Sequence, residues 1–151
     1  MRTLPLNRET LISRLEEIRH DVFELKRFQS MSSDEFEANY NFAIAEHFLR
    51  RAIEAIFDIG SHILSRIPGA RAASYKEIAV LLGKHKVISN DYMPTLQKIA
   101  GYRNRMVHFY DEISQDELHG ILQNYLQDIE AFACQISDLL KHPQEKGFEV
   151  E

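Results

Sequence analysis

Apolar residues that recur three and four positions apart, in one segment after another, constrain this chain more than any other feature. Leu11, Leu15, Ile18, Val22 and Leu25 fall on one stripe, because side chains at those spacings meet on one face of a helix that turns roughly 100° per residue. The spacing predicts a first helix over about residues 7–29. "SMSSDE" then offers Ser and Asp residues suited to a helix N-terminus. Beyond it, Phe42, Ala45, Leu49, Ala52, Ile56, Ile59 and Ile63 carry the same period through the longest helix. Pro68 and Gly69 interrupt it, and Ser74 with Glu77 has the form of a capping box that opens a short third helix through Leu82. Ser89, Asn90 and Asp91 offer caps for a fourth helix, which tolerates Pro94 only in its first turn. Ser114 with Glu117 repeats the capping-box pattern before Leu118, Leu122, Tyr125, Ile129, Phe132, Ile136 and Leu139, the stripe of a fifth helix reaching about Lys141. "HPQEKGFEV" reads as a frayed C-terminal tail.

Helices with single apolar stripes and short connections must bury those stripes against one another. The expected fold is therefore all-α: an up-and-down antiparallel bundle of four long helices plus one short helix. It forms a single domain over 1–151 with its core at about 8–140. No strand alternation, Gly-rich phosphate loop or internal repeat competes with this reading. A 151-residue chain with 44% hydrophobic residues is long enough to bury a sizeable core. The second helix also carries Phe48, Ile53 and Phe57 beside its stripe, more apolar surface than one seam needs, and from this we expect that it or a neighbour makes a homodimer contact.

A formal charge of −5 excludes a protein whose whole surface binds nucleic acid and leaves room only for a local basic groove. The single cysteine, Cys134, cannot form an internal disulfide, and the N-terminus lacks the unbroken apolar run of a signal peptide. No stretch approaches the roughly 18 apolar residues of a membrane span. A soluble, cytoplasmic protein with no membrane partner is expected. Cys134, among Phe132, Ala133 and Ile136, reads as a packing residue with no sequence-local base to activate it.

The fourth helix breaks its own pattern. Leu96, Ile99, Ala100, Arg103, Val107 and Tyr110 share a face, so an arginine stands where a leucine is expected, and His108 follows it. A structural reading pairs Arg103 with a carboxylate of a facing helix and makes His108 a core or boundary histidine. A chemical reading uses the guanidinium as a forked donor for phosphate oxygens and the imidazole to move a proton near neutral pH, a combination suited to phosphodiester cleavage. The C-terminal end of the helix, where His108 lies, favours the protonated ring. Five residues apart on an ideal helix, the two side chains diverge by roughly 140°. They converge only if the helix end distorts or a second subunit contributes.

Asp58 and His62, four apart on the second helix, read as two metal ligands lacking a third or as a hydrogen-bonded pair. Neither a metal site nor a cofactor is expected. The remaining histidines, His119 among them, form no cluster and read as solvated. "KRF" at 26–28 and "RRA" at 50–52 read as solvated faces before RNA contacts.

"RNRMVHFY" fits R-x-x-x-x-H-x-Y, and at these residues the chain resembles the HepT-like toxins of the HEPN superfamily, all-α ribonuclease domains of prokaryotic defence and toxin–antitoxin systems. "AIEAIFDIGSHIL", "SYKEIAVLL" and "LHGILQNYLQDIEAF" resemble the family's other helices in order, so the likeness spans about residues 8–140. It implies the toxin of a type VII-like toxin–antitoxin system: a homodimeric, metal-independent endoribonuclease with RNA as substrate. Arg103 and His108 of both subunits would line one cleft, with Asn104 in support. The implied partner is a small nucleotidyltransferase antitoxin that silences the toxin by AMP transfer to Tyr110. The alternative is a non-catalytic helical partner that presents nucleotide or substrate to a nucleotidyltransferase. The full motif favours the nuclease, because a docking domain has no need of a proton-transfer residue beside an arginine.

Overall fold

The computed structural model describes residues 2–108 and 113–151. Their order is α1 (Arg8–Lys26), α2 (Ser33–Glu37), α3 (Asn41–Ser65), α4 (Tyr75–Lys84), α5 (Met93–Val107), α6 (Gln115–Asn124) and α7 (Leu126–Lys141), then a 3-10 turn at Pro143–Lys146. No strand occurs among the described residues, and the all-α bundle is as expected. Its long helices fall where the periodicity puts them because each stripe is buried. Leu11, Leu15, Ile18, Val22 and Leu25 of α1 are all at most 3% exposed, as are Ala45, Leu49, Ala52, Ile56, Ile59 and Ile63 of α3.

Three boundaries differ from the expectation. "SMSSDE" opens a separate helix, α2, closed by a full capping box between Ser32 and Glu35, and Asn39 at φ 57° turns the chain into α3. The expected fifth helix is two. It breaks at Tyr125 (φ −127°, ψ 9°), where the Asn124 side-chain amide donates to the Gly120 carbonyl at 2.9 Å and caps the last turn of α6. The apolar period runs through this break without losing phase, so periodicity alone cannot show it. The C-terminal tail is not frayed. Leu6 N–H donates to Glu149 O at 2.8 Å and Glu151 N–H returns to Leu6 O at 2.9 Å, while Phe148 is 2% exposed. One apolar anchor inside a polar tail leaves no periodic signal, yet it docks both termini together.

Of the apolar surplus of α3, Ile53 and Phe57 are absorbed within the chain, whereas Phe48 is half-buried. Ile53 and Phe57 are 1% and 2% exposed, because α3 is the central helix, touched by α1, α2, α4, α5, α6 and α7. Two of the three surplus residues are therefore core, and Phe48 keeps part of its ring at the surface. At Gly60 the packing is closest: a Cβ there would lie 2.8 Å from Ile78 Cγ2 and 3.2 Å from Leu82 Cδ1, so glycine lets α4 approach α3. Between α1 and α3, the fully buried Asp21 takes a bidentate contact from Arg51, Nε to Oδ2 at 2.9 Å and Nη2 to Oδ1 at 2.7 Å. Arg51 is thus a structural residue, and Arg50 pairs with Glu46 at 2.5 Å.

Two further side chains depart from the reading. His119 is 5% exposed and stacks on Phe36 with ring centroids 4.7 Å apart. Cys134 is exposed, because it lies about 200° around α7 from the buried Phe132.

Asp58 and His62 do not pair. Asp58 meets Arg14 at 3.3 Å, and its carboxyl is pushed up, mainly by burial and further by Glu54 and Glu17, against the pull of Arg14. His62 Nε2 accepts the Asn7 backbone N–H at 3.0 Å, which requires a neutral ring there. Burial and the nearby Arg66 both hold its pKa below the ordinary histidine value. The unfolded chain therefore binds this proton more readily than the folded one. The stability His62 contributes is complete above the unfolded value near 6.5 and is lost as pH falls below it. Thermal midpoints of wild type and His62→Gln at pH 7.5 and 5.5 should show the larger acid-dependent drop in wild type. Equal drops would remove His62 as the titrating group.

Candidate functional site at the end of helix α5

The site is built where α5 ends. Pro94 sits in its first turn, as expected, and Ser89 Oγ accepts the Tyr92 N–H at 3.3 Å ahead of it. Leu96, Ile99 and Ala100 anchor the helix in the core, and the next residue of that stripe is Arg103.

Arg103 is held on two sides. Its Nε donates to Glu54 Oε1 of α3 at 3.0 Å, and its guanidinium lies over the ring of Tyr75 of α4, 3.8 Å from the centroid. Tyr75 is in turn fixed edge-on against Phe57 at 5.2 Å. The structural reading of Arg103 is thus realised, since it does pair with a carboxylate of a facing helix. It does not use up the group. No described residue accepts a hydrogen bond from Nη1 or Nη2, and neither atom is a buried orphan. One edge of a rigid, permanently charged fork is locked and the other remains a donor, as phosphate oxygens require.

The α-helix stops at Val107, and His108 is its cap residue in extended backbone (φ −95°, ψ 115°), its N–H bonded to Arg105 O at 3.3 Å. The helix end does leave the ideal path. His108 is exposed and lines a 330 Å³ cavity with Phe42, Glu46, Arg50, Arg105 and Ile113. Arg105 forms an ion pair with Glu117, whose own N–H caps on Ser114. The second capping box is therefore only half closed, because the Glu117 carboxylate ties α6 to α5 beside His108.

Within one chain Arg103 and His108 do not share a wall. Arg103 faces Glu54 and Tyr75, whereas His108 faces the end of α3 around Glu46 and Arg50. Those residues belong to one ridge of α3, since Glu46, Arg50 and Glu54 are spaced by four, and it spans about 12 Å. Asn104, partly buried, lies next to Arg103 on α5. Tyr110 lies outside the described residues. Among the described residues no group of three or more His, Cys, Asp or Glu is placed to hold a metal ion, and no helix is long and apolar enough to cross a membrane.

Sequence reasoning missed Glu54 and Tyr75. Their signal is weak but present: Glu54 is the acid in the most apolar stretch of α3, and Tyr75 is the first residue after a helix cap.

The solved structure of the tri-AMPylated Shewanella oneidensis HEPN toxin in complex with an MNT antitoxin shares the fold, with a TM-score of 0.76 and 24% identity over 85% of this chain and 97% of that one. The chain belongs to the ribonuclease HepT-like family, whose sequence model matches residues 14–136. Among curated relatives, the tRNA nuclease HepT of Aphanizomenon flos-aquae is 29% identical over 129 residues, covering 85% of this chain and 88% of that protein. The mRNA nuclease HepT of Shewanella oneidensis is 29% identical over 111 residues, covering 72% and 84%.

Proposed function

We propose that the chain is the toxin half of a toxin–antitoxin pair, a homodimeric, metal-independent endoribonuclease whose cleft combines Arg103 and His108 from two subunits, with Asn104 in support. The observation that carries this reading is the half-committed guanidinium of Arg103, held by Glu54 and Tyr75 with the N–H groups of Nη1 and Nη2 left over, on the helix that ends at the exposed His108. The chemistry follows from those groups. His108 takes the proton of an RNA 2′-hydroxyl as its oxygen attacks the adjacent phosphorus. The Arg103 fork stabilises the charge that gathers on the phosphorane oxygens. The P–O5′ bond then breaks, the leaving oxygen takes a proton from an acid, and a 2′,3′-cyclic phosphate and a 5′-hydroxyl remain. Two subunits supply the convergence that one chain lacks, and the second His108 can serve as that acid.

Control falls to a small nucleotidyltransferase that transfers AMP to Tyr110. Two residues beyond His108, an added phosphodiester offers Arg103 a resident anion in place of substrate. Incubation with the nucleotidyltransferase encoded beside it and ATP should raise the intact mass in steps of one AMP unit and abolish RNA cleavage, and neither change should occur in Tyr110→Phe. A Tyr110→Phe protein that is still modified would move the acceptor elsewhere. An unmodified wild type would leave inhibition to direct binding.

A further inference from the structure

The outward face of α5 carries features that the Arg103–His108 site does not use. Lys98, Gly101 and Arg105 are spaced three and four apart and share that face. Gly101 forms its floor. A Cβ there would meet, within 4 Å, only Cε of Lys76, which reaches across from α4 and lies 3.9 Å away. Lys76 and Lys98 are both exposed, and among the described residues neither has a carboxylate partner. Lys98 is not a loose surface lysine: its ammonium sits 3.9 Å from the centroid of the Tyr125 ring and 5.9 Å from that of Tyr102. Burial pulls its pKa down, but the two phenols outweigh that and hold it above the ordinary lysine value. Tyr125, the residue at which the helix breaks, is 39% exposed. Among the described residues, the acids beside this face are Glu117, engaged with Arg105, and Asp128, near Lys98.

We propose that this face is a backbone track for single-stranded RNA, in which Lys76 and Lys98 bind phosphates on either side of the Gly101 floor and lead the strand toward His108. Three observations support it. Cations flank Gly101, a position with no side chain of its own, so phosphate can approach the helix backbone there. Exposed aromatic surface lies beside the cations, the pairing used by proteins that hold single strands without reading their sequence. The strip also adjoins the candidate site, because Arg105 on the same face lines the His108 cavity. On a chain of net charge −5, such a local basic face is what composition leaves room for.

The proposal rests on the ribonuclease reading, and a binding measurement separates the two. In a His108→Ala background, which does not consume the probe, affinity for a labelled single-stranded RNA oligonucleotide is measured across salt concentrations. Lys76→Gln and Lys98→Gln should each weaken binding and reduce the slope of log affinity against log salt by about 0.7. Lys76→Arg should keep the slope, as should Lys141→Gln at the far end of α7. Unchanged slopes in both glutamine variants of a protein that binds RNA would overturn the track and leave the ribonuclease reading standing. Slopes unchanged while the nucleotidyltransferase no longer transfers AMP to the variants, read by intact mass, would reassign the face to partner docking. A wild type that neither cleaves nor binds RNA would overturn both.

Discussion

His108→Ala is expected to slow RNA cleavage by roughly 100- to 10,000-fold, the range spanned by a single general acid or base. Arg103→Ala should lose about 100- to 1,000-fold, the cost of removing one preorganised charge from a developing oxyanion. Both variants should remain folded. His108 is exposed, and Glu54, which loses its partner in Arg103→Ala, is 38% exposed at its side chain and can be hydrated. Arg103→Lys is the more discriminating change. It keeps the charge but removes both the planar surface that lies 3.8 Å from the Tyr75 centroid and the fork that serves Glu54 and phosphate together. It should resemble alanine in rate and wild type in thermal midpoint. Single-turnover cleavage with saturating protein measures the rates, and unchanged rates in the alanine variants would remove the assignment of both residues.

The largest effect on stability is expected far from that site. Arg51→Met should destabilise the fold by about 3–5 kcal/mol, because it leaves a buried carboxylate without its main cation. Asp21 is 0% exposed, and after the substitution its remaining side-chain partner is His20 Nδ1 at 3.2 Å. Replacing Asp21 instead should cost less, since Arg51 is 41% exposed at its side chain and keeps Glu17 at 3.3 Å. Asp21→Leu combined with Arg51→Met should recover much of the loss, because an apolar pair of similar volume no longer buries a charge. Urea midpoints of the two single variants and the double variant give the comparison. Additive losses would show that the two residues do not act as a unit.

What the sequence shows, and what it hides, follows from how far each signal reaches along the chain. A stripe such as Leu11 to Leu25 or Ala45 to Ile63 repeats its information every turn, so the long helices and their buried faces are legible. A break that preserves the stripe's phase, as at Tyr125, is not. Nor is a lone anchor such as Phe148, or a cap that starts one short helix and not the next, as at Ser32. At the candidate site the anomaly of Arg103 in an apolar stripe is legible, and so is the divergence of Arg103 and His108. The identity of the carboxylate is not, because Glu54 is 49 residues away in sequence. Neither is the Tyr75 platform, which depends on how closely α4 packs against α3 at Gly60. His119 shows the same limit in reverse: a histidine with no neighbouring cluster reads as solvated, yet α2 brings Phe36 over it.

The central claim is that Arg103 and His108 cleave RNA without a metal. Its most direct test is digestion of total RNA by purified wild-type protein in excess EDTA, with the termini of the products analysed. The predicted result is sustained cleavage that leaves 2′,3′-cyclic phosphate and 5′-hydroxyl ends and is lost in His108→Ala. Cleavage abolished by EDTA, or RNA bound but left intact by concentrated protein, would contradict it.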